Sequence, residues 1–144
     1  MGIIVCSIFF LILTLSLWMI GSMLKKQGKE FEATKKQGRA EVVGYEHNSG
    51  SNSTHYNLSV KLLDIDDDTI SNCLTGAVDA KTIKKGEVID VVYGDTRILG
   101  IPTREIYLIG GAIPDKQKSG KIFGFVALGC AIIGVVIDII LLLA

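Results

Sequence analysis

Both ends of this 144-residue sequence are almost free of charged side chains. Residues 1–24 include no Asp, Glu, Lys, Arg or His, and residues 122–144 include only Asp138. A helix needs about 20 predominantly apolar residues to cross a bilayer core, and each end supplies them. The sequence therefore predicts transmembrane helices at 3–24 and 122–143.

A cleaved secretory signal is the alternative for the first apolar stretch. Such a signal starts with basic residues and ends at a site of small residues. Here the chain starts MGIIVCSIFF, without a basic side chain, and SLWMIGSMLKK makes a poor cleavage site. We therefore expect the first helix to remain in the membrane.

Cysteine and histidine are too few for most disulfide or metal frameworks. Cys6 and Cys130 fall inside the predicted helices and Cys73 stands alone, so no disulfide framework is expected. His47 and His55 have no cysteine or acidic cluster close in sequence to complete the four ligands usual for zinc. A zinc site is therefore not expected.

Motifs of catalysis and nucleotide binding are also missing. Asp64, Asp66 and Asp68 match the first, third and fifth positions of a calcium loop, but Thr69 and Thr75 stand where it requires Gly and Glu. Walker, Rossmann and zinc-finger spacings do not occur. We expect no metal, no cofactor and no enzymatic activity.

Basic residues concentrate next to the two apolar stretches, and acidic residues between them. The segment 40–115 holds twelve acidic and six basic residues, which argues against nucleic-acid binding. Lys and Arg near the ends of a span mark its cytoplasmic side, although a loop longer than about 60 residues can cross the membrane regardless. We expect the middle of the chain in the cytoplasm and both termini outside. The predicted membrane-surface anchor consists of Lys25, Lys26, Lys29, Lys35, Lys36, Arg39, Lys116, Lys118 and Lys121.

Two basic necks connect the spans to the middle segment. The neck 25–39, KKQGKEFEATKKQGR, is rich in helix formers and predicts a continuation of the first helix. Glu32 lies four residues before Lys36, a favourable helical pair. Gly38 stands where a helix C-terminus favours glycine. The second neck is the short stretch 116–121.

Between the necks, at 40–115, the apolar pattern changes to period two. In THYNLSVKLLD, Tyr56, Leu58, Val60 and Leu62 alternate with polar residues, which is typical of a strand with one buried face. Turn compositions separate this run from its neighbours. The pattern predicts a small antiparallel β-domain of about five strands, barrel-like or half-open. The predicted strands are RAEVVGYEH, THYNLSVKLLD, TISNCLT, EVIDVVYG and REIYLIG.

This order of segments resembles a known family. An apolar span, a basic neck, GRAEVVGYE, a strand such as YNLSVKLLD, KKGEVIDVVYG and a second span are similar to the family called domain of unknown function 3592. That family's Asp-Pro or Asn-Pro after the tyrosine is replaced here by GDTRILGIP, with Pro102 displaced. The resemblance implies a bacterial two-pass membrane protein with a small β-domain between its helices, and it supplies no agreed activity or catalytic residues.

The second apolar stretch carries small residues at intervals of three and four, which places them on one helix face with its single charged residue. Small residues let membrane helices approach closely. An ionisable residue inside a membrane indicates function by default, yet Asp138 lies in the outer half of the span, so structural and ion-handling roles both stay open. The face comprises Gly120, Gly124, Ala127, Ala131, Gly134 and Asp138.

The first stretch offers a matching face of small and polar residues at heptad spacing. Facing residues of antiparallel helices have a constant sum of residue numbers, and three pairs here share the same sum. The pairs are Ser7 with Asp138, Thr14 with Ala131, and Gly21 with Gly124. We expect the two helices to pack on each other and Ser7 to hydrogen-bond to Asp138. The alternative is a homo-oligomer formed through the small residues of the second helix.

The leading hypothesis is a non-enzymatic, multi-pass protein of the cell membrane that presents its β-domain to another protein at the cytoplasmic face. One alternative is an inhibitor or immunity protein whose helices block a toxin or pore. Another is an accessory that handles ions through Asp138. The expected partners are the lipid bilayer and a second protein.

Overall fold

The computed structural model describes residues 2–48, 55–66, 68–76 and 78–144. The chain divides into two compact units. One unit is helical and consists of Met1–Lys29 and Asp115–Ala144, and the other, Glu30–Pro114, contains the five β-strands. The expected architecture, two apolar helices that flank a small five-stranded β-domain in sequence, is confirmed.

The helical unit is built from the greater part of two long helices. α1 is Gly2–Thr34 and α2 is Lys116–Leu143, and both are long and apolar enough to cross a membrane. In the most apolar part of α1 no residue is buried, and in that of α2 only 11% are. A helix that is apolar on all sides requires apolar surroundings, so the exposure of these side chains agrees with a membrane location.

The second unit is a closed barrel of five strands. In chain order they are β1 (Lys36–Asn48), β2 (His55–Leu62), β3 (Ile70–Leu74), β4 (Val88–Ile98) and β5 (Ile101–Leu108), with a short 3-10 helix at Ala80–Thr82. Around the barrel the order is β1-β2-β3-β5-β4. Each of the five predicted strand segments is therefore a strand. One of the turn compositions that separate the predicted strands, NSGSNS at 48–53, lies almost entirely outside the described residues.

One strand pair corrects the expected antiparallel arrangement. β3 and β5 are parallel, with Cys73 opposite Ile106 and Leu74 opposite Tyr107, whereas the other four pairs are antiparallel. Strand direction has to alternate around an all-antiparallel ring, and an odd number of strands cannot do so. A closed five-stranded barrel therefore contains at least one parallel pair.

Alternating side chains fill the barrel. Leu58 and Val60 are 0% exposed and Leu62 is 5% exposed, as the period-two pattern predicts. Burying one such side chain contributes about 1.5–3 kcal/mol, so these positions dominate the stability of β2. The rest of the core comprises Ala40, Val42, Cys73, Ala80, Ile83, Ile89, Val91, Tyr93, Ile106 and Leu108.

The first neck is helical only in part, which corrects the expected boundary at residue 39. α1 ends at Thr34, and Lys36 already pairs with Tyr93 as the first residue of β1. Gly38 is therefore no helix cap. A Cβ at Gly38 would overlap the Asp64 carboxylate and lie 2.8 Å from the Tyr93 ring. The close approach of these two side chains, rather than a helix end, requires glycine there.

The second neck is the beginning of α2 and not a separate segment. Asp115 caps the helix by accepting a hydrogen bond from Lys118 N at 2.9 Å. Lys116, Lys118 and Lys121 then lie in the first two turns of α2. Positive charges near a helix N-terminus oppose the helix dipole, so helix stability does not explain their position.

The buried thiol of Cys73 predicts a loss of stability at alkaline pH. Cys73 is 0% exposed, and burial raises its pKa from 9.0 to about 12. Above pH 9.0 the folded chain keeps a proton that the unfolded chain has lost. The buried, protonated thiol therefore stabilises the folded chain fully below pH 9.0, and this stabilisation declines as the pH rises toward 12. We expect the free energy of unfolding to fall by up to about 1.4 kcal/mol per pH unit in this range.

Urea unfolding of the full chain in detergent, measured from about pH 8 to about pH 10, gives this slope. Cys73→Ala should lower stability at every pH because it leaves a cavity, but it should flatten the slope. Tyr107 contributes mainly above its ordinary pKa of 10.0, outside this window. An unchanged slope in Cys73→Ala would show that another group is responsible.

Candidate functional site

The small residues of α2 face α1 within the helical unit. A Cβ on Gly120 would lie 2.6 Å from Gly21 O, and a Cβ on Gly21 would lie 2.9 Å from Gly120 O. About two helical turns further along α1, inside the first neck, a Cβ on Gly28 would lie 2.9 Å from Gln117 N. These distances leave no room for a side chain. The two helices therefore approach through glycine, as small-residue packing requires.

The other members of the two predicted faces lie at or beside this contact. Gly21, Ala127 and Gly134 are buried. Thr14, Gly124 and Ala131 are half-buried, as are Ser7 and Asp138. The structure thus brings the predicted faces of α1 and α2 together within one chain.

Ser7 and Asp138 meet where α1 begins and α2 ends. Ser7 Oγ lies 2.8 Å from Asp138 Oδ2 and 2.9 Å from Ile3 O. A serine hydroxyl has one proton to donate, so Ser7 serves one of these acceptors at a time while the carboxylate is ionised. With a proton on the carboxyl, Asp138 donates to Ser7 and Ser7 donates to Ile3, which satisfies both contacts.

Two buried polar atoms have no hydrogen-bond partner among the described residues. They are Asp138 Oδ1 and Thr14 Oγ1. Thr14 is two helical turns from Ser7, roughly 10 Å along the axis, so these atoms do not form one site. An unpartnered polar atom in apolar surroundings is unfavourable. Asp138 Oδ1 therefore has capacity for one further interaction.

The small-residue pattern does not reveal two further contacts of the helical unit. A Cβ on Gly134 would lie 2.9 Å from Phe10 Cβ, so this side chain covers the glycine. Lys116 Nζ donates to Gln27 Oε1 at 3.2 Å, and Gln27 is only 5% exposed. Both pairs nearly satisfy the constant sum of residue numbers. The constant sum, applied to residues outside the two small-residue faces, would therefore have predicted both contacts.

In the barrel unit, the last turn of α1 covers an open strand edge. β1 pairs with β4 only as far as Tyr93, so the amides of Asp95 and Arg97 have no strand on that side. Thr34 Oγ1 accepts from Asp95 N at 2.8 Å, and Glu30 Oε2 accepts from Arg97 N at 2.8 Å. Two helix side chains thus replace the hydrogen bonds of a missing strand.

Phe31 packs into the same contact. Its ring meets Tyr107 edge-on with centroids 5.4 Å apart, and Phe31 is 6% exposed. Gly94 makes the space, since a Cβ there would lie 2.7 Å from Phe31 Cδ2. Burial, with neighbouring Glu105, raises the pKa of Tyr107 above its ordinary range. Sequence periodicity gave no signal for this contact, because it does not indicate which strand a helix end meets.

The predicted anchor residues are divided between the two units. Those that precede residue 30 are exposed on α1, and those that follow the helix are exposed on or beside β1. Lys35 is salt-bridged to Glu32 at 2.7 Å. On α2, Lys116 is half-buried while Lys118 and Lys121 are exposed. The exposed α1 group is Lys25, Lys26 and Lys29, and the β1 group is Lys36 and Arg39.

The acidic segment after β2 has structural contacts. Asp64 Oδ2 accepts from Arg39 N at 2.6 Å. Asp68 forms a salt bridge with Lys61, and this hydrogen-bonded carboxylate raises the pKa of Lys61. Asp64 and Asp68 thus both contact residues of the barrel strands.

No group of three or more potential metal ligands occurs in the described part of the chain. That part leaves out Asp67 and the side chains of His47 and His55. In the β1–β2 register, His47 is opposite Tyr56 and Asn48 is opposite His55. The two histidines are therefore not cross-strand partners.

A row of register partners crosses four strands of the barrel. Val88 is opposite Glu41, Glu41 is opposite Lys61, and Lys61 is opposite Ile70. Val88 is 51% and Ile70 62% exposed, whereas the two charged residues are half-buried. We call these four residues the outer row. The row thus has an exposed apolar side chain at each end and two charged side chains between them.

Comparisons with known proteins add no assignment to this geometry. No family model matches the chain, and no curated protein or solved structure matches it. The resemblance to domain of unknown function 3592 stays a prediction. Function therefore has to be argued from the two units themselves.

The glycine contact predicts opposite effects of two similar substitutions in α2. Gly120→Ala places a methyl group 2.6 Å from Gly21 O, so the helices must move apart. Gly129→Ala meets nothing within 4 Å and gains up to about 1 kcal/mol of helix propensity. Disulfide formation between Thr14→Cys and Ala131→Cys, with Cys6 and Cys130 replaced by alanine, should slow in Gly120→Ala and persist in Gly129→Ala.

The measurement uses the full chain in native membranes and non-reducing gel electrophoresis. Equal rates in both variants would mean that the helices do not pack through Gly120. Disulfides that form only between chains would replace the pairing within one chain by the homo-oligomer.

Proposed function

We propose that this chain is a non-enzymatic bacterial membrane protein that presents its barrel to another protein at the cytoplasmic face of the cell membrane. The lysines at the start of α2 support this orientation. They oppose the helix dipole, but they mark the cytoplasmic end of a span. Both termini then lie outside.

The outer row is the observation that carries the protein-binding proposal. A partner that covers Val88 and Ile70 removes two exposed apolar side chains from water, and a basic group on it can pair with Glu41 at the same time. The barrel interior, in the part described, is filled by thirteen core residues. Binding at the barrel surface is therefore the better-supported use of this unit.

Asp138 supports a second candidate, an accessory that handles protons or cations. Its Oδ1 is buried without a partner among the described residues, and its Oδ2 contacts Ser7 at 2.8 Å. The Ser7 contacts change with the protonation of the carboxyl, because one hydroxyl proton cannot serve two acceptors. This candidate locates the activity in the helical unit, whereas the first locates it in the barrel.

Photo-crosslinking in living cells separates the two candidates. A photoreactive amino acid at Ile70 or at Val88 should capture one protein in common, because both residues belong to the outer row. Lys85 is the matched control, exposed in the turn before β4 and outside the row. It should capture less of that protein. Asp138→Asn should leave the capture unchanged, since it alters only the helical unit.

Failure to capture a common protein at Ile70 and Val88 would contradict the binding proposal. Loss of capture in Asp138→Asn would instead connect the partner to the helical unit. The compartment is checked with Lys85→Cys, which an impermeant maleimide should label only after cell lysis. Cys73 cannot report the compartment, because its thiol is 0% exposed.

A further inference from the structure

The β4–β5 hairpin ends in an exposed apolar turn. Ile98 pairs with Ile101 across the two-residue turn Leu99-Gly100. Exposure is 36% for Ile98, 82% for Leu99 and 67% for Ile101. Exposed Pro102 follows. We call residues 98–102 the tip, and its apolar side chains contribute little to the barrel core.

The tip places leucine where its backbone disfavours it. Leu99 has φ +51° and Gly100 has φ +81°, the pair of positive values found in type I′ hairpin turns. Asn-Gly is favoured there, because asparagine tolerates the left-handed region better than leucine does. Leu99 is the one non-glycine residue with positive φ in the described part of the chain. Its exposed side chain therefore needs an explanation outside the barrel fold.

Contacts within the barrel unit show the direction in which the tip runs. The hydrogen bonds step back along α1 from Thr34 to Glu30 as they step forward along β4 from Asp95 to Arg97. β4 therefore runs toward its turn antiparallel to this last turn of α1. In the chain, the residues before Glu30 are basic, and an uncharged span precedes them.

We infer that the tip inserts into the lipid leaflet from which α1 emerges, with Leu99 and Ile101 at the level of the upper acyl chains. Apolar residues at an interface insert where basic residues meet anionic headgroups, and exposed Arg97 directly precedes the tip. α1 would be one attachment of the barrel to the membrane and the tip a second. The inference rests on the membrane location proposed above.

Quenching by nitroxide-labelled lipid tests the inference on the full chain. Ile101→Cys and Val88→Cys replace exposed apolar residues, 67% and 51% exposed, at opposite ends of the β4–β5 hairpin. Each variant carries a bimane label, with Cys6 and Cys130 replaced by alanine, in nanodiscs of phosphatidylcholine and phosphatidylglycerol. The label at position 101 should lose fluorescence when the nitroxide is near the headgroup end of the acyl chain, and the label at position 88 should not.

Trp18 is the internal reference, because it is the single tryptophan of the chain and is 61% exposed on α1. The nitroxide lipid should quench it if α1 crosses the bilayer. Quenched Trp18 with an unquenched label at position 101 would overturn the tip inference alone. Unquenched Trp18 would overturn the membrane location itself. A blue-shifted but unquenched label at 101 would mean that a protein covers the tip, which also overturns the inference.

Leu99→Asn provides a second variant with opposite effects on the fold and on the membrane contact. Asparagine suits the positive φ, so resistance to urea should stay the same or rise. Quenching of the label at position 101 should fall, because the most exposed apolar side chain of the tip is gone. Full quenching in Leu99→Asn would overturn the role assigned to Leu99.

Discussion

The hydrogen bonds between the last turn of α1 and the edge of β4 are the constraint on which the rest of the structure depends. β4 continues past the end of its pairing with β1, and an uncovered edge there would offer unpaired amides to other chains. Thr34 and Glu30 accept the hydrogen bonds of two of these amides, and Phe31 fills the space above Gly94. A single helix of 33 residues thus supplies a candidate span at one end and part of the barrel unit at the other. A domain this small buries limited surface. The hydrogen bonds from β4 to Thr34 and Glu30 are therefore a substantial part of what stabilises the β4–β5 hairpin.

Glycine recurs wherever two elements come too close for a side chain. Gly120 and Gly21 allow backbone contact in the helical unit, while Gly94 and Gly38 admit Phe31 and the Tyr93 ring in the barrel unit. Polar residues are few within the two apolar stretches of the helical unit. Ser7 and Asp138 find each other, whereas Asp138 Oδ1 is left without a partner among the described residues. The barrel unit, in contrast, exposes apolar side chains at the outer row and at the tip. We propose that a partner protein contacts the outer row and that lipid contacts the tip.

Much of the fold follows from local patterns, and the remainder depends on contacts that no local pattern contains. The alternation around Leu58 predicts β2, and the constant sum of residue numbers by itself pairs Ser7 with Asp138.

The sequence KKQG shows the limit of local patterns, because its first copy, 25–28, is helical and its second copy, 35–38, begins a strand. Tertiary contacts decide between these outcomes, since propensity is a weak prior. An odd number of strands requires a parallel pair only once the sheet is known to close, and the number alone does not identify β3–β5 as that pair. The contact of Thr34 with Asp95 and the positive φ of Leu99 had no signal in periodicity. The contact covers the edge of β4, and Leu99 lies at the tip of the same hairpin.

Amide hydrogen exchange at β4, in the full chain reconstituted in nanodiscs, tests the central constraint most directly. The amides of Asp95 and Arg97 should exchange as slowly as that of Val91, which lies in the part of β4 that pairs with β1. Thr34→Val removes the acceptor oxygen and should accelerate the amide of Asp95 more than that of Arg97, because Glu30 still holds the latter. Exchange at Asp95 and Arg97 as fast as at the exposed turn residue Gly100, in the unmodified chain, would show that the edge of β4 is open and would contradict the account.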